Sequence, residues 1–391
     1  MGNIQQSRFK FLFEKSVMSR SDTSLQARRA QFENALEFAQ SQVKRLIEMH
    51  PNFFPMYTVD GQWRHLGEHW TNWCEGFLPG ILWILYQLTG DHYWRRKAEH
   101  YSLLLELRKN DRNVHDLGFV FNSSYGRWYE LTHDPELRKT LIQAGQTLAQ
   151  RYQPKGQYLC SFVARESLFI DIMMNVGIIF WTAEKTQDER LWEIAVRHCH
   201  TTRQFLVHSD GSTIHEAIFD TNSGEFLRDS TQQGYSSVSC WSRGLCWALY
   251  GFGTAYRFTR EPSFLETAER CADYYLRNVP DNWVPYWDFH APAGPDCYWD
   301  SSAAAIAASG LWSLSALTKE TGRAHRYRNT VFQILDSLTS PQFLARGKEG
   351  QEGILLHGVY HFHKKLGVDE SVMWGEHFFM EALQKALNAI R

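Results

Sequence analysis

A chain of 391 residues with a formal net charge of −2 and no block of like charge lacks the electrostatic footprint of a nucleic-acid or anionic-membrane binder. No run of eighteen apolar residues occurs, so nothing reads as a bilayer-spanning helix. The seven cysteines are odd in number and scattered, mostly within apolar segments, which suits a reducing compartment without disulfides and makes a cytoplasmic protein the expectation.

Residues 1–25 alternate charges with apolar side chains and read as an N-terminal arm rather than a secretory signal. Gly2 suggests myristoylation, but that motif wants Ser or Thr where Gln6 stands. From Gln26 to His50, Phe32, Leu36, Ala39, Val43 and Leu46 step by fours and threes, which predicts an amphipathic helix that stops at Pro51.

A recurring punctuation follows: LYQLTGDHYW, WYELTHDPEL, TAEKTQDERL, AYRFTREPSF and LSALTKETGRA. Each predicts a helix end, a short polar turn around Thr89, Thr132, Thr186, Thr259 or Thr321, and a second helix. Thr, Asp and Gly suit caps, and Pro135 and Pro262 suit first-turn positions. The threonines are unequally spaced, which argues against a strict solenoid and for helical hairpins separated by loops of variable length. Five hairpins plus the terminal helices make about six, so residues 26–391 are expected to form one all-α domain, an (α/α)6 toroid. Strands should be minor. GSTIHEAIFDTNSGEFL and VPYWDFHAPAGPDCYWDSS are the segments expected to hold short rim hairpins.

Several motifs carry little. His65, Glu68 and His69 spell an inverted zinc-protease pattern, but Gly67 interrupts it and no helical periodicity surrounds it, so no metal is expected. HCH (198–200) and HFH (361–363) space their histidines two apart, which on a helix puts them on different faces. CWSRG (240–244) lacks the first Gly of a nucleophile elbow. GFGTAY (251–256) lacks the third Gly of a dinucleotide fingerprint and follows no predicted strand.

Two carboxylates stand out. Asp116 heads the apolar run of VHDLGFVF beside His115, and Asp171 is the sole ionisable group of SLFIDIMMNVGIIFW. A buried unpaired carboxylate costs several kcal/mol, so each needs a partner or a purpose. In a toroid, helix-start residues of different hairpins can face one cavity, and glycosidic chemistry uses such a pair, one protonated and one ionised. Asp171, among Leu168, Phe169, Ile170, Ile172 and Met173, is expected to have its pKa raised by desolvation and to be the acid, with Asp116 ionised. The competing reading is that Asp171 caps a helix or pairs with Asn175. Aromatic side chains make up 15% of the chain, fifteen of them Trp, several near turns; flat rings beside carboxylates suit stacking on sugar faces.

NWCEGFLPGILW, VHDLGF, the FID of SLFID, TQQG, WSRGLCWALYGF, YWDF, DSSAAA, HGVYHFH and WGEHFFMEAL, in order from about Trp70 to Glu381, resemble the unsaturated glucuronyl hydrolases, glycoside hydrolase family 88. The resemblance implies an (α/α)6 barrel that needs no metal or cofactor. It also implies a substrate carrying a 4,5-unsaturated uronate at the non-reducing end of lyase-made oligosaccharides. By position, Asp116 and Asp171 match the two catalytic aspartates. Trp73, His115, His215, Gln233, Arg243, Trp247 and Tyr360 match positions lining the sugar site. The implied chemistry is hydration of an enol ether, with Asp171 protonating C4, Asp116 holding the C2 hydroxyl, Arg243 clamping the uronate carboxylate, and Trp73 and Trp247 stacking on ring faces. CSFVARESLFID is shorter than the loop in many members, with Phe162 near a Trp place and Ser167 in an Arg place, and HFHKKLG keeps Lys364 and Lys365 without the serines of members that take sulfated sugars. The next sugar is therefore open. Rivals are an unsaturated rhamnogalacturonyl hydrolase of the related family 105 and a non-hydrolytic toroid like the acylglucosamine epimerases, which would use paired histidines. Nothing in the sequence sets an oligomeric state.

Overall fold

The computed structural model describes residues 2–64 and 72–390, with side chains from residue 25 onward. His65, Glu68, His69 and Trp70 lie outside the described residues.

Twelve helices among the described residues form two concentric rings. The inner ring is α2 (Phe77–Thr89), α4 (117–132), α6 (172–186), α8 (Ser242–Thr259), α10 (Ser301–Ser315) and α12 (Met373–Ile390). The outer ring is α1 (Gly2–Met49), α3 (His92–Leu103), α5 (Pro135–Ala149), α7 (Glu189–Leu206), α9 (Pro262–Asn278) and α11 (Thr321–Leu338). Five hairpins pair each inner helix with the outer helix that follows it. The sixth joins the two ends of the chain, α12 packing on α1, and α12 also meets α2 to close the ring. This is the expected (α/α)6 toroid. The position expected to end the N-terminal arm, residue 25, falls inside α1.

The turns explain why the hairpins form. Thr89, Thr132, Thr186 and Thr259 each end an inner helix, and each hydroxyl donates to the carbonyl one turn back, Leu85, Trp128, Thr182 and Ala255 respectively. The next residue takes a left-handed conformation (Gly90, His133, Gln187, Arg260). The one after it, Asp91, Asp134, Asp188 or Glu261, starts the outer helix, and the three aspartates accept a backbone N–H there. Thr321 is a correction: it opens α11 behind Glu320. The fifth turn instead carries Thr318, whose hydroxyl donates to Glu269.

The strands sit in rim loops, as expected. Ser167–Phe169, Glu216–Phe219 and Phe226–Ser230 form an antiparallel sheet in which Phe169 opposes Glu216, and Gly358–His361 pairs with Leu366–Glu370. The 284–302 segment contributes only the single bridges Trp241–Asp288 and Tyr286–Trp299.

Candidate active site

Asp116 directly precedes α4 and Asp171 directly precedes α6. What brings them together is Gly118. A Cβ there would lie 2.4 Å from the Asn175 Cα, so only glycine lets the two helices touch one turn beyond the carboxylates. The Asn175 side chain seals the junction. Its Oδ1 accepts from the Phe119 N–H at 2.7 Å, and its Nδ2 donates to the Asp171 carbonyl at 3.2 Å. The Asp171 carboxylate itself caps nothing and does not pair with Asn175.

Both carboxylates line one narrow pocket, of about 30 Å³, with Trp73, His115, Phe162, Phe169, Gln233, Arg243 and Tyr360. Two histidines stand behind them in matching arrangements. His115 Nδ1 accepts the Phe162 N–H at 2.9 Å, and its Nε2 lies 3.4 Å from Asp116 Oδ1. His215 Nδ1 accepts the N–H groups of Gln232 (3.0 Å) and Gln233 (3.3 Å), and its Nε2 lies 3.6 Å from Asp171 Oδ2. With Nδ1 committed as acceptor, the ring proton of each histidine sits on Nε2 and faces a carboxylate.

The protonation pattern corrects the sequence expectation. Burial, reinforced by repulsion from Asp171, raises Asp116 to about 8. Burial also pushes Asp171 upward, but the facing His215 N–H and the neighbouring His215, His115 and Arg243 outweigh it and hold Asp171 below the usual carboxylate range. The two shifts run in opposite directions, favouring the proton on Asp116 and the charge on Asp171. The Asp171 carboxylate, buried in a pocket it shares with Phe169, also faces His215 Nε2. Burial lowers His115 to about 3, so it stays neutral.

Arg243, 1% exposed at the start of α8, does not present an open fork. One terminal nitrogen donates to Asp300 Oδ2 (3.3 Å) and the Val359 carbonyl, the other to the Tyr360 carbonyl (2.9 Å) and Gln233 Oε1. Its guanidinium is also sandwiched between Trp241 and Trp374, 4.4 and 5.0 Å from the ring centroids. Four of its five donors are thus spent on protein. The carboxylate clamp expected of Arg243 is replaced by a buried cation that fixes Gln233, leaving the Gln233 Nε2 as the amide end free to donate.

Among the described residues, no group of three or more His, Cys, Asp or Glu side chains is placed to hold a metal ion. His198 is buried on α7 and accepts the Leu159 N–H, a structural role; GFGTAY lies inside α8 and not after a strand.

The model of Glycosyl Hydrolase Family 88 matches residues 36–388. This chain belongs to that family. It is 33% identical over 327 residues to the unsaturated glucuronyl hydrolase of Formosa agariphila, covering 82% of this chain and 81% of that one. It is 31% identical over 360 residues to the unsaturated chondroitin disaccharide hydrolase of Streptococcus pyogenes serotype M1, covering 89% of each. Among solved structures, an unsaturated glucuronyl hydrolase specific for heparin superposes with a TM-score of 0.86 at 29% identity, over 92% of this chain and 98% of that one. The Bacillus sp. GL1 unsaturated glucuronyl hydrolase superposes at 0.83 with 28% identity, over 90% and 96%.

Within this family 88 chain, eight of the nine residues singled out from the sequence meet at the pocket, seven in its wall and His215 behind Asp171. Trp247 does not line it. It is fully buried one turn along α8, its ring 4.9 Å from Phe119 and 5.3 Å from Phe378, and forms part of the core beneath the pocket. Phe162, Phe169 and Asp300 were not singled out as site residues. Phe169 was within reach, two positions before Asp171. Asp300 was not, because its role follows from a contact 57 positions away in sequence.

Proposed function

We propose that this chain is a glycosidase that removes the 4,5-unsaturated uronic acid from the non-reducing end of lyase-made oligosaccharides, by hydrating the C4=C5 double bond. The observation that carries this reading is the pairing of Asp116 and Asp171 in one pocket with oppositely shifted acidities, which favours one proton beside one carboxylate.

The substrate alters that balance in a definite direction. Its own carboxylate, arriving next to Asp171, adds repulsion that raises Asp171. Sugar hydroxyls donating to Asp116 favour its ionised form. The shared proton thereby moves to Asp171, from which it passes to C4. Positive charge develops at C5 and the ring oxygen. Water adds at C5 and returns a proton to Asp171; the hemiketal opens by breaking the bond between C5 and the ring oxygen, and the hemiacetal this leaves at C1 releases the leaving sugar as its alcohol, giving a C5 ketone and a C1 aldehyde. Asp116 holds the C2 hydroxyl, Trp73 offers a ring face, and Gln233 and Tyr360 are the neutral donors for the uronate. His115 and His215 support the aspartates, and their committed Nδ1 atoms weigh against the paired-histidine chemistry of an epimerase.

Among related structures, one is described as specific for heparin, and a Streptococcus agalactiae mutant is complexed with dGlcA-GalNAc6S. The leaving sugar of this chain is thus a matter for a panel of lyase-made disaccharides, including an unsaturated rhamnogalacturonyl one. We also place the chain in one catalytic domain over 26–391 and in the cytoplasm, where its seven free cysteines, six of them buried, would stay reduced. No described helix is long and apolar enough to cross a membrane.

The deciding experiment replaces Asp171 with Asn and follows loss of the double bond's ultraviolet absorbance. Turnover should fall at least about a hundredfold in a folded protein that still binds the sugar. A folded variant near the wild-type rate would remove Asp171 from the chemistry.

A further inference from the structure

A second cavity, about 370 Å³, lies on the toroid axis beyond the catalytic pocket. The buried rings of Phe119, Trp247 and Phe378 separate the two. We propose that this well is a binding site for a small hydroxylated carboxylate, a sugar acid.

Its charges carry the argument. Glu381 is matched by Lys385 at 2.7 Å, which also bonds Tyr250 and Ser309. Arg127 is held less closely: its Nη2 reaches Glu381 at 3.7 Å, and among the described residues its side chain makes one hydrogen bond, a long one to Gln87, 3.5 Å. Arg127, its side chain 16% exposed, thus lines the well with guanidinium donors that no protein acceptor takes at close range. A second guanidinium, Arg257, lines the same well with no ion pair among the described residues. Arg127, Arg257 and Lys385 face Glu130 and Glu381 there, three cations against two carboxylates.

The backbone points the same way. Arg127 directly follows a π-helical turn, Asn122–Gly126, the distortion that often marks functional sites inside a helix. That turn presents Asn122 to the well, and Asn122 is exposed although it belongs to the inner ring. Thr254 and Ser313 add hydroxyl partners, and Trp181 adds an indole wall. Anion-binding guanidiniums, neutral hydroxyl partners and an aromatic face together suit a sugar acid better than a bare ion.

The proposal is independent of the catalytic reading and is tested by calorimetric titration of the full chain with D-glucuronate and, for comparison, D-glucose. Arg257→Gln changes an exposed side chain, and Gly253→Leu fills the well at a position where a Cβ meets nothing closer than 3.9 Å. The expected result is saturable glucuronate binding that both variants weaken about tenfold, with glucose binding far more weakly and the rate of disaccharide hydrolysis unchanged. Any component the variants leave untouched belongs to the catalytic pocket. Titrations identical in all three proteins, glucose binding as well as glucuronate, or no saturable heat at all would each overturn the proposal; if Gly253→Leu does not fold, Arg257→Gln decides alone.

Discussion

His215 turns its only N–H toward Asp171, 3.6 Å away, because its other nitrogen is held by the backbone of the loop that carries Gln233. One ring thus couples the acidity of a carboxylate to the position of a sugar-binding amide. Replacing His215 with Ala should remove part of what depresses Asp171, so the acid limb of kcat/KM should move to higher pH. KM should rise as well, as the Gln232–Gln233 turn loses its acceptor. An acid limb that stays in place would reduce His215 to a space-filler.

The proton on Asp116 should be visible in stability. Its folded pKa, about 8, lies above its ordinary value of 3.8. Between those two values the folded state holds a proton the unfolded chain has lost, so stability declines as pH rises through the window. Asp116→Asn abolishes this dependence, and its melting temperature should gain on wild type steadily from pH 5 to pH 8. Glu376, raised by burial from 4.5 to about 8, acts with the same sign and leaves residual pH dependence in the variant. A constant difference across that range would show that Asp116 titrates normally.

Arg243 and Gln233 should separate cleanly. Arg243→Met leaves Asp300 buried without its cation and should cost about 3–5 kcal/mol of stability, measured by denaturant unfolding. Gln233→Ala should leave stability nearly unchanged and raise KM for the unsaturated disaccharide. Were Arg243→Met to unfold like wild type while KM rose sharply, Arg243 would be the direct clamp after all.

Asp134 caps α5 by accepting the Glu136 N–H at 2.8 Å. Asp134→Ala should lower stability by about 1 kcal/mol and leave turnover untouched. An unchanged melting temperature would mean that packing alone sets this turn.

Local chemistry determined much of this protein. The four-and-three spacing of apolar residues and the Thr–x–Asp turns specify helix, sharp reversal and helix from contacts within a few residues, so the hairpins and their closure into a toroid are legible in the sequence. Asp116 and Asp171 are legible too, because a charge at the head of an apolar helix demands an explanation. Their protonation is not. Neighbours in sequence made Asp171 look the more desolvated of the two, yet its carboxylate meets His215, 44 positions away, while Asp116 is left buried beside a second negative charge. Arg243 likewise finds Val359 and Tyr360 more than a hundred positions along the chain, and Trp247, one turn further on the same helix, falls on the face turned into the core. Acidity and donor availability depend on what lies within a few ångströms in space, and only the closed ring of hairpins decides that.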